Sequence, residues 1–401
     1  MTRLSRAERN LVDPIESPSM TEQVLDWAAV NSGTGNLAGL ADMAGKLAEA
    51  FSILPGDATL LDADPVETVL ADGRLASRAF GRHLLVRVRP LAERRVLLTG
   101  HMDTVFASDH PFQTCTWLDP ATLRGPGTCD MKGGLAIMLA ALLAFEQMRP
   151  ALGYDVLITS DEEIGSLASA GVIRGLAQAK IVALTYEPAL PDGALARARP
   201  GSGNFAAVVT GRAAHAGRNP EAGRNAVVAA ADLALRLARS RRETLAINPA
   251  RIDGGGPDNL VPDLAILRFN MRPRQDDDAT AATALLERTI TEVARAHDVR
   301  IDLHGGFGRP PKPVSTVTQR LFALIAGAAA DLGEPVAWHD TGGVCDGNNI
   351  AACGVPVIDT MGACGGNIHS PEEFLHIDSL ATRARLSALA LHRLDQGAFE
   401  P

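Results

Sequence analysis

The first half of the chain alternates short apolar runs with segments of helical periodicity. Val96–Thr99, Val156–Thr159 and Ile181–Thr185 have the pattern of strands that are buried on both faces. Lys132–Met148, between the first two runs, repeats apolar residues at helical spacing, and a helical stretch near Ala168–Ala179 separates the last two. This alternation predicts an α/β fold whose central sheet packs between helices.

The pattern changes at about Gly201. From there the chain predicts a strand, a helix, two strands, a helix and a strand, the βαββαβ order of a ferredoxin-like domain. These strands alternate apolar and polar residues more than the earlier ones, which favours a sheet with one open face. The predicted elements are 205–210, 223–239, 244–252, 264–271, 279–296 and 299–303.

After the proline-rich joint Pro310–Pro313 the α/β pattern resumes. It predicts a helix over Thr318–Leu332, a strand over Val355–Thr360 and a closing helix over Asp378–Leu394. At 401 residues the chain is long enough for two domains. We therefore predict a larger domain made of residues 1–200 and 311–401, with a smaller domain of residues 201–310 inserted into it.

Composition excludes several classes of partner. The net charge of −9 and the 4% aromatic content disfavour a nucleic-acid partner. The five cysteines show no C-x-x-C spacing, so we expect reduced thiols in a cytoplasmic protein. The first 19 residues carry several charges and no apolar core of a signal peptide, and no run of 18 uncharged apolar residues occurs. We therefore expect no membrane partner.

Acids and histidines follow the predicted strands. The carboxyl ends of parallel strands meet at one edge of a sheet, where functional groups gather. A cluster of carboxylates and two imidazoles there suits divalent ions, zinc above all. Each piece alone has a plainer interpretation, such as a solvated acidic loop, a strand exit or a helix start. The residues are His101 and Asp103 after the first strand, Glu162 and Glu163 after the second, Glu187 after the third, His369 after the strand at 355–360, and Asp130 in the loop before the Lys132 helix.

The ordered set of motifs resembles the di-zinc metallopeptidase family of glutamate carboxypeptidase, acetylornithine deacetylase, succinyl-diaminopimelate desuccinylase and the aminoacylases. The resemblance runs from about Thr21 to Leu394 and is strongest to the glutamate carboxypeptidase branch, through residues 211–217, 308–310 and 341–343. The motifs that carry it are His101-Met-Asp-Thr, Gly125-x-Gly-x-x-Asp130-Met-Lys-Gly-Gly134, Asp161-Glu-Glu-x-Gly165, Glu187-Pro188 and His369-Ser-x-x-Glu373.

The resemblance implies a zinc-peptidase catalytic domain, with a mixed central sheet between helices, and an inserted ferredoxin-like dimerisation domain. It implies two Zn²⁺ ions, with Co²⁺ or Mn²⁺ as substitutes. Asp130 would bridge both ions, His101 and Glu187 would complete one site, and Glu163 and His369 would complete the other. The charges agree with this arrangement, because three carboxylates and one bridging hydroxide neutralise two divalent ions.

The expected mechanism uses a water shared by two ions roughly 3.5–4 Å apart. We assign Glu162 as the general base and then the acid for the leaving amine, because successive extended residues point to opposite sides and Glu163 is a ligand. Asp103 would accept a hydrogen bond from the second ring nitrogen of His101 and fix its tautomer. A turn residue after the strand is the plainer interpretation of Asp103.

Three residues of the inserted domain are candidate substrate contacts. The resemblance implies that His215 reaches the site of a partner subunit and stabilises the oxyanion, so that a homodimer forms through the inserted domain. Arg309 would bind a free carboxylate of the substrate through its planar guanidinium, and Asn259 would assist by hydrogen bonding. A hinge salt bridge and a turn asparagine are the plainer interpretations of Arg309 and Asn259.

The expected function is hydrolysis of an amide bond by a zinc-bridged water. Its substrate would be a small molecule or short peptide with a free carboxylate, cleaved at a C-terminal amino acid of glutamate type or at an N-acyl amino acid. The alternatives are an aminopeptidase for short peptides and an inactive dimeric binding protein that retains the fold. A nucleotide-binding oxidoreductase is rejected, because the glycines of Gly201-Ser-Gly203 lead into a strand rather than a helix.

Overall fold

The structure is a computed structural model that describes residues 4–401. In chain order its helices are α1 (Arg6–Val12), α2 (Ser17–Ala28), α3 (Leu37–Phe51), α4 (Gly133–Gln147), α5 (Ala170–Ala177), α6 (Ala226–Arg239), α7 (Asp276–His297), α8 (Thr316–Leu332), α9 (Asp346–Ala351) and α10 (Asp378–Asp395). Short helical turns lie at Glu162–Ile164 and Pro220–Ala222, and an irregular turn lies at Thr128–Lys132.

Within residues 4–401 the strands are, in chain order, β1 (Asp57–Leu61), β2 (Val66–Val69), β3 (Leu75–Arg78), β4 (His83–Val88), β5 (Arg95–His101), β6 (Thr116–Asp119), β7 (Thr122–Arg124), β8 (Gly153–Thr159), β9 (Val182–Thr185), β10 (Leu195–Ala196), β11 (Ser202–Thr210), β12 (Ala214–His215), β13 (Leu245–Gly254), β14 (Leu260–Val261), β15 (Leu264–Pro273), β16 (Arg300–Arg309), β17 (Trp338–His339), β18 (Val357–Ile358), β19 (Gly365–Gly366) and β20 (Phe374–His376). The elements predicted from periodicity are all present. The strand predicted over Val355–Thr360 is shorter, since only its two central residues pair with β9.

The chain divides into two compact units. Unit 1 comprises residues 1–64, 79–198 and 313–401, and unit 2 comprises residues 65–78 and 199–312. The predicted division differs from this one by two residues at each joint, and it assigned residues 65–78 to the larger domain. The pattern of apolar and polar residues in segment 65–78 does not indicate which part of the chain it packs against.

Unit 1 is built on a six-stranded mixed sheet in the order β1-β4-β8-β5-β9-β18. The strands β8, β5, β9 and β18 are parallel, whereas β4 runs antiparallel to β8. Neighbouring residues face opposite layers: Leu98 belongs to the core that includes α4 and α10, and Leu97 belongs to the core beneath α5 and α9. Burial on both faces explains the continuous apolar runs of these strands and confirms the predicted α/β class.

Helix α4 is central to the larger core of unit 1. The segment Thr128–Gln147 is long and apolar enough to cross a membrane, but 83% of its most apolar window is buried inside the protein. Leu135, Met138 and Leu142 pack in the core formed with the sheet. The segment is therefore a core helix.

Unit 2 contains a four-stranded antiparallel sheet in the order β13-β15-β11-β16. Helices α6 and α7 cover one face, as the βαββαβ pattern predicts. The second face is not fully open, because Val69 of the β2–β3 hairpin packs against Val208 and Ile266. Arg268 Nη2 also donates a hydrogen bond of 2.7 Å to the carbonyl of Val69. The expectation of one open face was therefore wrong where this hairpin covers the sheet.

Candidate metal centre

Three adjacent parallel strands of unit 1 end at the same edge of the sheet. Strand β5 lies between β8 and β9 and ends at His101. Asp161–Glu163 follow the end of β8, and Glu187 follows β9 after Tyr186. The parallel register therefore delivers an imidazole and several carboxylates to one place.

Two glycines let other segments approach this edge closely. A Cβ atom on Gly134, at the start of α4, would lie 2.1 Å from the carbonyl oxygen of Tyr186. A Cβ atom on Gly362, in the loop that leads to His369, would lie 2.2 Å from the same oxygen. Only glycine fits at such distances, so both positions allow ligand-bearing segments to pack against the end of β9.

The first group of possible ligands consists of His101, Asp130 and Glu187. Nε2 of His101 lies 3.2 Å from Oδ1 of Asp130 and 3.8 Å from Oε2 of Glu187. The His101 side chain is 1% exposed and that of Glu187 is 12% exposed. The three side chains thus turn their donor atoms toward a common point that is shielded from solvent.

The second group consists of Asp130, Glu163 and His369. Nε2 of His369 lies 3.2 Å from Oδ2 of Asp130 and 3.1 Å from Oε2 of Glu163. The group is open to solvent at His369, whose side chain is 54% exposed, whereas the side chain of Glu163 is 4% exposed. Substrate and solvent could therefore reach this group past His369.

Asp130 is shared by both groups, and each of its carboxylate oxygens faces a different imidazole. Within each group the donor atoms lie within 4.8 Å of one another. Such a carboxylate can bind one cation through each oxygen. Nitrogen and oxygen donors in this number fit a pair of divalent cations.

Asp103 connects the two ligand-bearing strand ends. Its buried carboxylate accepts hydrogen bonds from the backbone N–H groups of Glu162 and Glu163, at 3.1 and 3.2 Å, and from Thr34 Oγ1 at 2.7 Å. Nδ1 of His101 lies 3.0 Å from the Asp103 carbonyl oxygen and 3.4 Å from its carboxylate. The Asp103 carbonyl oxygen is thus nearer to the imidazole than the Asp103 carboxylate is.

Glu162 and Glu163 do not lie on extended backbone. Glu162–Ile164 form a 3₁₀ turn that ends at Gly165, whose φ of 102° is in the left-handed region. The sequence argument that successive extended side chains point to opposite sides therefore does not apply to this pair. Glu162 is 7% exposed and directly precedes a member of the second group.

The side chains of both groups shift the pKa values of one another. Burial would raise the pKa of Asp130, but hydrogen bonds from His101 and His369 hold it below its ordinary value. Hydrogen bonds to Asp130 and Glu163 raise the pKa of His369 to about 11. Burial would lower the pKa of His101, yet its acidic neighbours raise it well above the ordinary value. Without cations, protons on the imidazoles therefore supply the positive charge of the cluster.

Burial and the charge of Asp130 raise the pKa of Glu163 to about 7. The same two effects raise the pKa of Glu373 to about 8, against three backbone hydrogen bonds that lower it. Cations bound beside Asp130 would oppose both shifts by favouring the ionised carboxylates. A surplus of buried carboxylates is what a cation site requires.

The second unit holds the other three predicted site residues. His215 and Asn259 are neighbours: β12 pairs with β14, and Ala216 N–H donates to the Asn259 carbonyl at 2.9 Å. Both residues are exposed. Arg309 ends β16 opposite Ser202 and is only 6% exposed. Sequence pattern alone did not single out Arg272, whose pKa is lowered by burial and then by the charge of Arg309.

Sequence reasoning also gave no role to Glu373. Its carboxylate, 1% exposed, accepts hydrogen bonds from three backbone N–H groups of the loop that carries Asp130. Its place in the His369-Ser-x-x-Glu373 motif was the available signal. The contacts became apparent only in the folded chain, because they join segments far apart in sequence.

Paired carboxylate–imidazole groups at the strand ends of a mixed sheet are typical of metallohydrolases. Comparison with protein families identifies the family of metallohydrolases to which the chain belongs. Residues 97–393 match the peptidase family M20/M25/M40, and the chain belongs to this family of metal-dependent hydrolases. The resemblance inferred from the motifs is confirmed, and the chain is a metallopeptidase or related amide hydrolase.

Two relatives and one solved structure illustrate the similarity. Carboxypeptidase G2 of Pseudomonas sp. (strain RS-16) is 27% identical over 390 residues, which cover 95% of this chain and 91% of the relative. Succinyl-diaminopimelate desuccinylase of Methylorubrum extorquens is 30% identical over 329 residues, 75% of this chain and 82% of the relative. The crystal structure of aminopeptidase PepT from Bacillus cereus has a TM-score of 0.71 at 21% identity, over 95% of this chain and 99% of that one. The last likeness concerns the fold alone.

Proposed function

We propose that this protein uses two zinc ions to hydrolyse the amide bond between an acyl or peptidyl group and an amino acid with a free carboxylate. C-terminal residues of peptides and N-acyl amino acids share this bond, so one site can serve both. The observation that carries the proposal is the shared Asp130, whose two oxygens face His101 and His369. Co²⁺ or Mn²⁺ would be accepted by the same donors.

The relatives agree with this class of bond. The names carboxypeptidase and desuccinylase describe removal of a C-terminal residue and of a succinyl group. The exposed His369 leaves room for a small substrate at the second group.

The bound ions would polarise the scissile carbonyl and lower the pKa of a water molecule. Glu162 would accept a proton from the attacking water and then donate it to the leaving nitrogen. Asp103 would hold Nδ1–H of His101, so that Nε2 presents its lone pair to the cation. It would also hold the turn that carries Glu162 and Glu163, through their backbone N–H groups.

Arg309 would bind the free carboxylate of the substrate, with Asn259 as an assisting hydrogen-bond donor. The Arg309 side chain is buried, and its charge lowers the pKa of the neighbouring Arg272. Two guanidinium groups in one place attract an anion, and the planar fork of arginine suits a carboxylate. This assignment favours substrates with a free carboxylate over neutral amides.

The Glu162→Ala variant tests the proposed base. We expect it to retain two zinc ions per chain and to lose about 10²–10⁴-fold in kcat, the range of general acid–base catalysis. Metal content is measured by elemental analysis, and kcat with an N-acyl amino acid. Glu93→Ala, a change of an exposed glutamate, is the matched control. Wild-type kcat in Glu162→Ala would refute the role, and well under one zinc per wild-type chain after reconstitution would favour an inactive binding protein.

A substrate panel tests the bond that is cleaved. N-acyl amino acids that vary in acyl group and amino acid are compared with their α-carboxamides. We expect the carboxamides to be poor substrates, because the proposed partner of Arg309 is then neutral. Equal hydrolysis of acids and amides would contradict the carboxylate requirement. Cleavage restricted to peptides with a free amino terminus would establish the aminopeptidase alternative.

The proposal extends to a homodimer formed through unit 2, in which His215 of each subunit stabilises the oxyanion in the site of the other. Support comes from the exposed apolar side chains of Val228 and Leu235, seven residues apart on one face of α6. Co-expression of Glu162→Ala and His215→Ala chains tests it. If His215 acts across the dimer, mixed dimers hold one complete site and restore about a quarter of wild-type activity. No recovery, with His215→Ala inactive on its own, would place His215 in its own subunit's site, and full activity of His215→Ala alone would place it outside catalysis.

We also propose a cytoplasmic location. All five cysteines are free thiols, which suits a reducing compartment. Cell fractionation with an antibody against the chain checks this, and recovery in the periplasmic or secreted fraction would contradict it.

A further inference from the structure

The Glu373 carboxylate is the acceptor for the loop that presents Asp130. One oxygen accepts the backbone N–H groups of Cys129 and Asp130, both at 2.9 Å, and the other accepts that of Gly127 at 3.1 Å. The Glu373 carbonyl oxygen also accepts the N–H of Gly125 at 3.1 Å. Four N–H groups of a six-residue loop thus end on one residue.

This loop needs an external acceptor. Asp130 has φ of −114° and ψ of 89°, so its backbone is not helical even though α4 begins three residues later. The loop residues Thr128, Cys129 and Asp130 are buried. Buried N–H groups without an acceptor are costly. Glu373 therefore stabilises the conformation in which Asp130 points its carboxylate at both imidazoles.

Glu373 also connects this loop to the second ligand-bearing loop. It follows His369 by four residues and directly precedes β20, which pairs with β7 and β19. Strand β7 ends at Arg124, directly before the Asp130 loop. One side chain therefore lies at the junction of the segments that carry Asp130 and His369.

A buried lysine, Lys132, lies near the Glu373 carboxylate. Lys132 is 2% exposed, and its side chain passes Gly127, where an added Cβ would lie 3.3 Å from Lys132 Cε. Its Nζ donates to the carbonyl of Val30 at 3.0 Å. Burial lowers the pKa of Lys132 to about 8, and the charge of Glu373 opposes this shift. A buried amino group two residues after Asp130 thus partly offsets the charge of Glu373.

We infer that Glu373 is a positioning residue for the metal pair: it holds Asp130 in the geometry that lets one carboxylate serve both cations. The inference rests on the proposed ligand set. Since Asp130 belongs to both groups, loss of Glu373 weakens both cation sites together rather than one of them. Residues that orient ligands in this way typically change metal affinity about 10–100-fold when they are replaced.

The test is a Co²⁺ titration of the metal-free full chain, followed by visible absorption and calorimetry. Glu373→Gln keeps the size of the side chain but replaces one acceptor oxygen with an N–H₂ group that faces backbone donors. The control is Glu372→Gln, the same change one residue earlier, at a side chain that is 66% exposed. We expect both Co²⁺ dissociation constants of Glu373→Gln to rise about 10–100-fold with an altered cobalt spectrum, and those of Glu372→Gln to stay at wild-type values.

Three results separate the hypotheses. Wild-type dissociation constants and spectrum in Glu373→Gln, with two ions bound by the wild-type chain, would overturn the positioning role and leave the proposed function standing. Failure of the wild-type chain to bind two ions would overturn both. Should Glu373→Gln not fold, Glu373→Asp replaces it, because it keeps the charge and retracts the carboxylate. If that variant also stays unfolded with saturating Co²⁺, Glu373 serves the fold and the inference fails.

Discussion

The two sheets of this protein differ in how they distribute the residues at the ends of their strands. In unit 1, β8, β5 and β9 are parallel, so the residues that follow them emerge at one edge. In unit 2 every pairing of the four-stranded sheet is antiparallel, so neighbouring strands end at opposite edges. Only the first arrangement collects side chains from several strand ends, and there the carboxylates and imidazoles meet.

The two sheets also differ in burial. Both faces of the unit 1 sheet are covered by helices, whereas in unit 2 helices cover one face and the β2–β3 hairpin covers part of the other. A rigid, doubly covered sheet is a suitable base for a site that must hold donor atoms in fixed positions.

Among the variants that compare the two sheets, the largest effect is expected from Asp130→Asn. It removes the shared carboxylate of the strand-end cluster, so we expect loss of both cations and a fall in kcat/KM on the order of 10³-fold, since metal catalysis supplies several kcal/mol. The control is Asp253→Asn in unit 2, where the carboxylate pairs with Arg251 and Arg268. Two ions retained in Asp130→Asn, or lost in Asp253→Asn, would contradict the assignment of the site to the parallel strand ends.

A smaller effect should distinguish the two faces of the unit 2 sheet. Leu267 and Ile266 are adjacent on β15 and fully buried, Leu267 beneath the helices and Ile266 beneath the hairpin. We expect Leu267→Ala to lower the free energy of unfolding by about 2–5 kcal/mol and Ile266→Ala by about 2 kcal/mol, because the hairpin provides fewer packing atoms. Calorimetric unfolding of both variants measures the difference. Equal losses would mean that the hairpin covers its face as fully as the helices do.

The smallest effect concerns pH. The pKa values of His101 and His369 are raised in the cation-free cluster, so both rings hold protons at neutral pH, and a cation must displace them. Affinity for zinc therefore falls as pH falls, by about tenfold per pH unit for each proton released. Competition with a chelating dye between pH 6 and 8 measures this slope. His215→Ala, which changes an exposed histidine of unit 2, should leave the slope of zinc affinity against pH unchanged. A zinc affinity that does not depend on pH in the wild-type chain would contradict the protonation of His101 and His369 in the cation-free cluster.

Much of the fold could be predicted because its signals are local. Helix α4 and strands β5 and β8 follow directly from apolar periodicity, since each buries a defined face or stripe. The role of residues 65–78 could not be predicted, because the partners of Val69 lie in β11 and β15. The same holds for Glu373, because the backbone N–H groups that donate to its carboxylate belong to a loop far away in sequence.

The candidate site shows the same division. The candidate donors and their place after successive strands could be predicted from the chain, because parallel strands impose a common edge. The backbone around Glu162 was not, since a 3₁₀ turn closed by Gly165 replaced the extended segment that the pattern suggested. Nor could the sequence reveal that the carbonyl oxygen of Asp103 is the nearer partner of His101.

The sequence by itself determined the fold class, the family and the set of candidate donor residues, because periodicity and motif order are properties of the chain alone. Tertiary structure decided which oxygen of Asp130 faces which imidazole, how Asp103 joins the strand ends, and which residue holds the Asp130 loop. These depend on hydrogen bonds between segments far apart in sequence, whose geometry is fixed only when the sheet and its loops are packed.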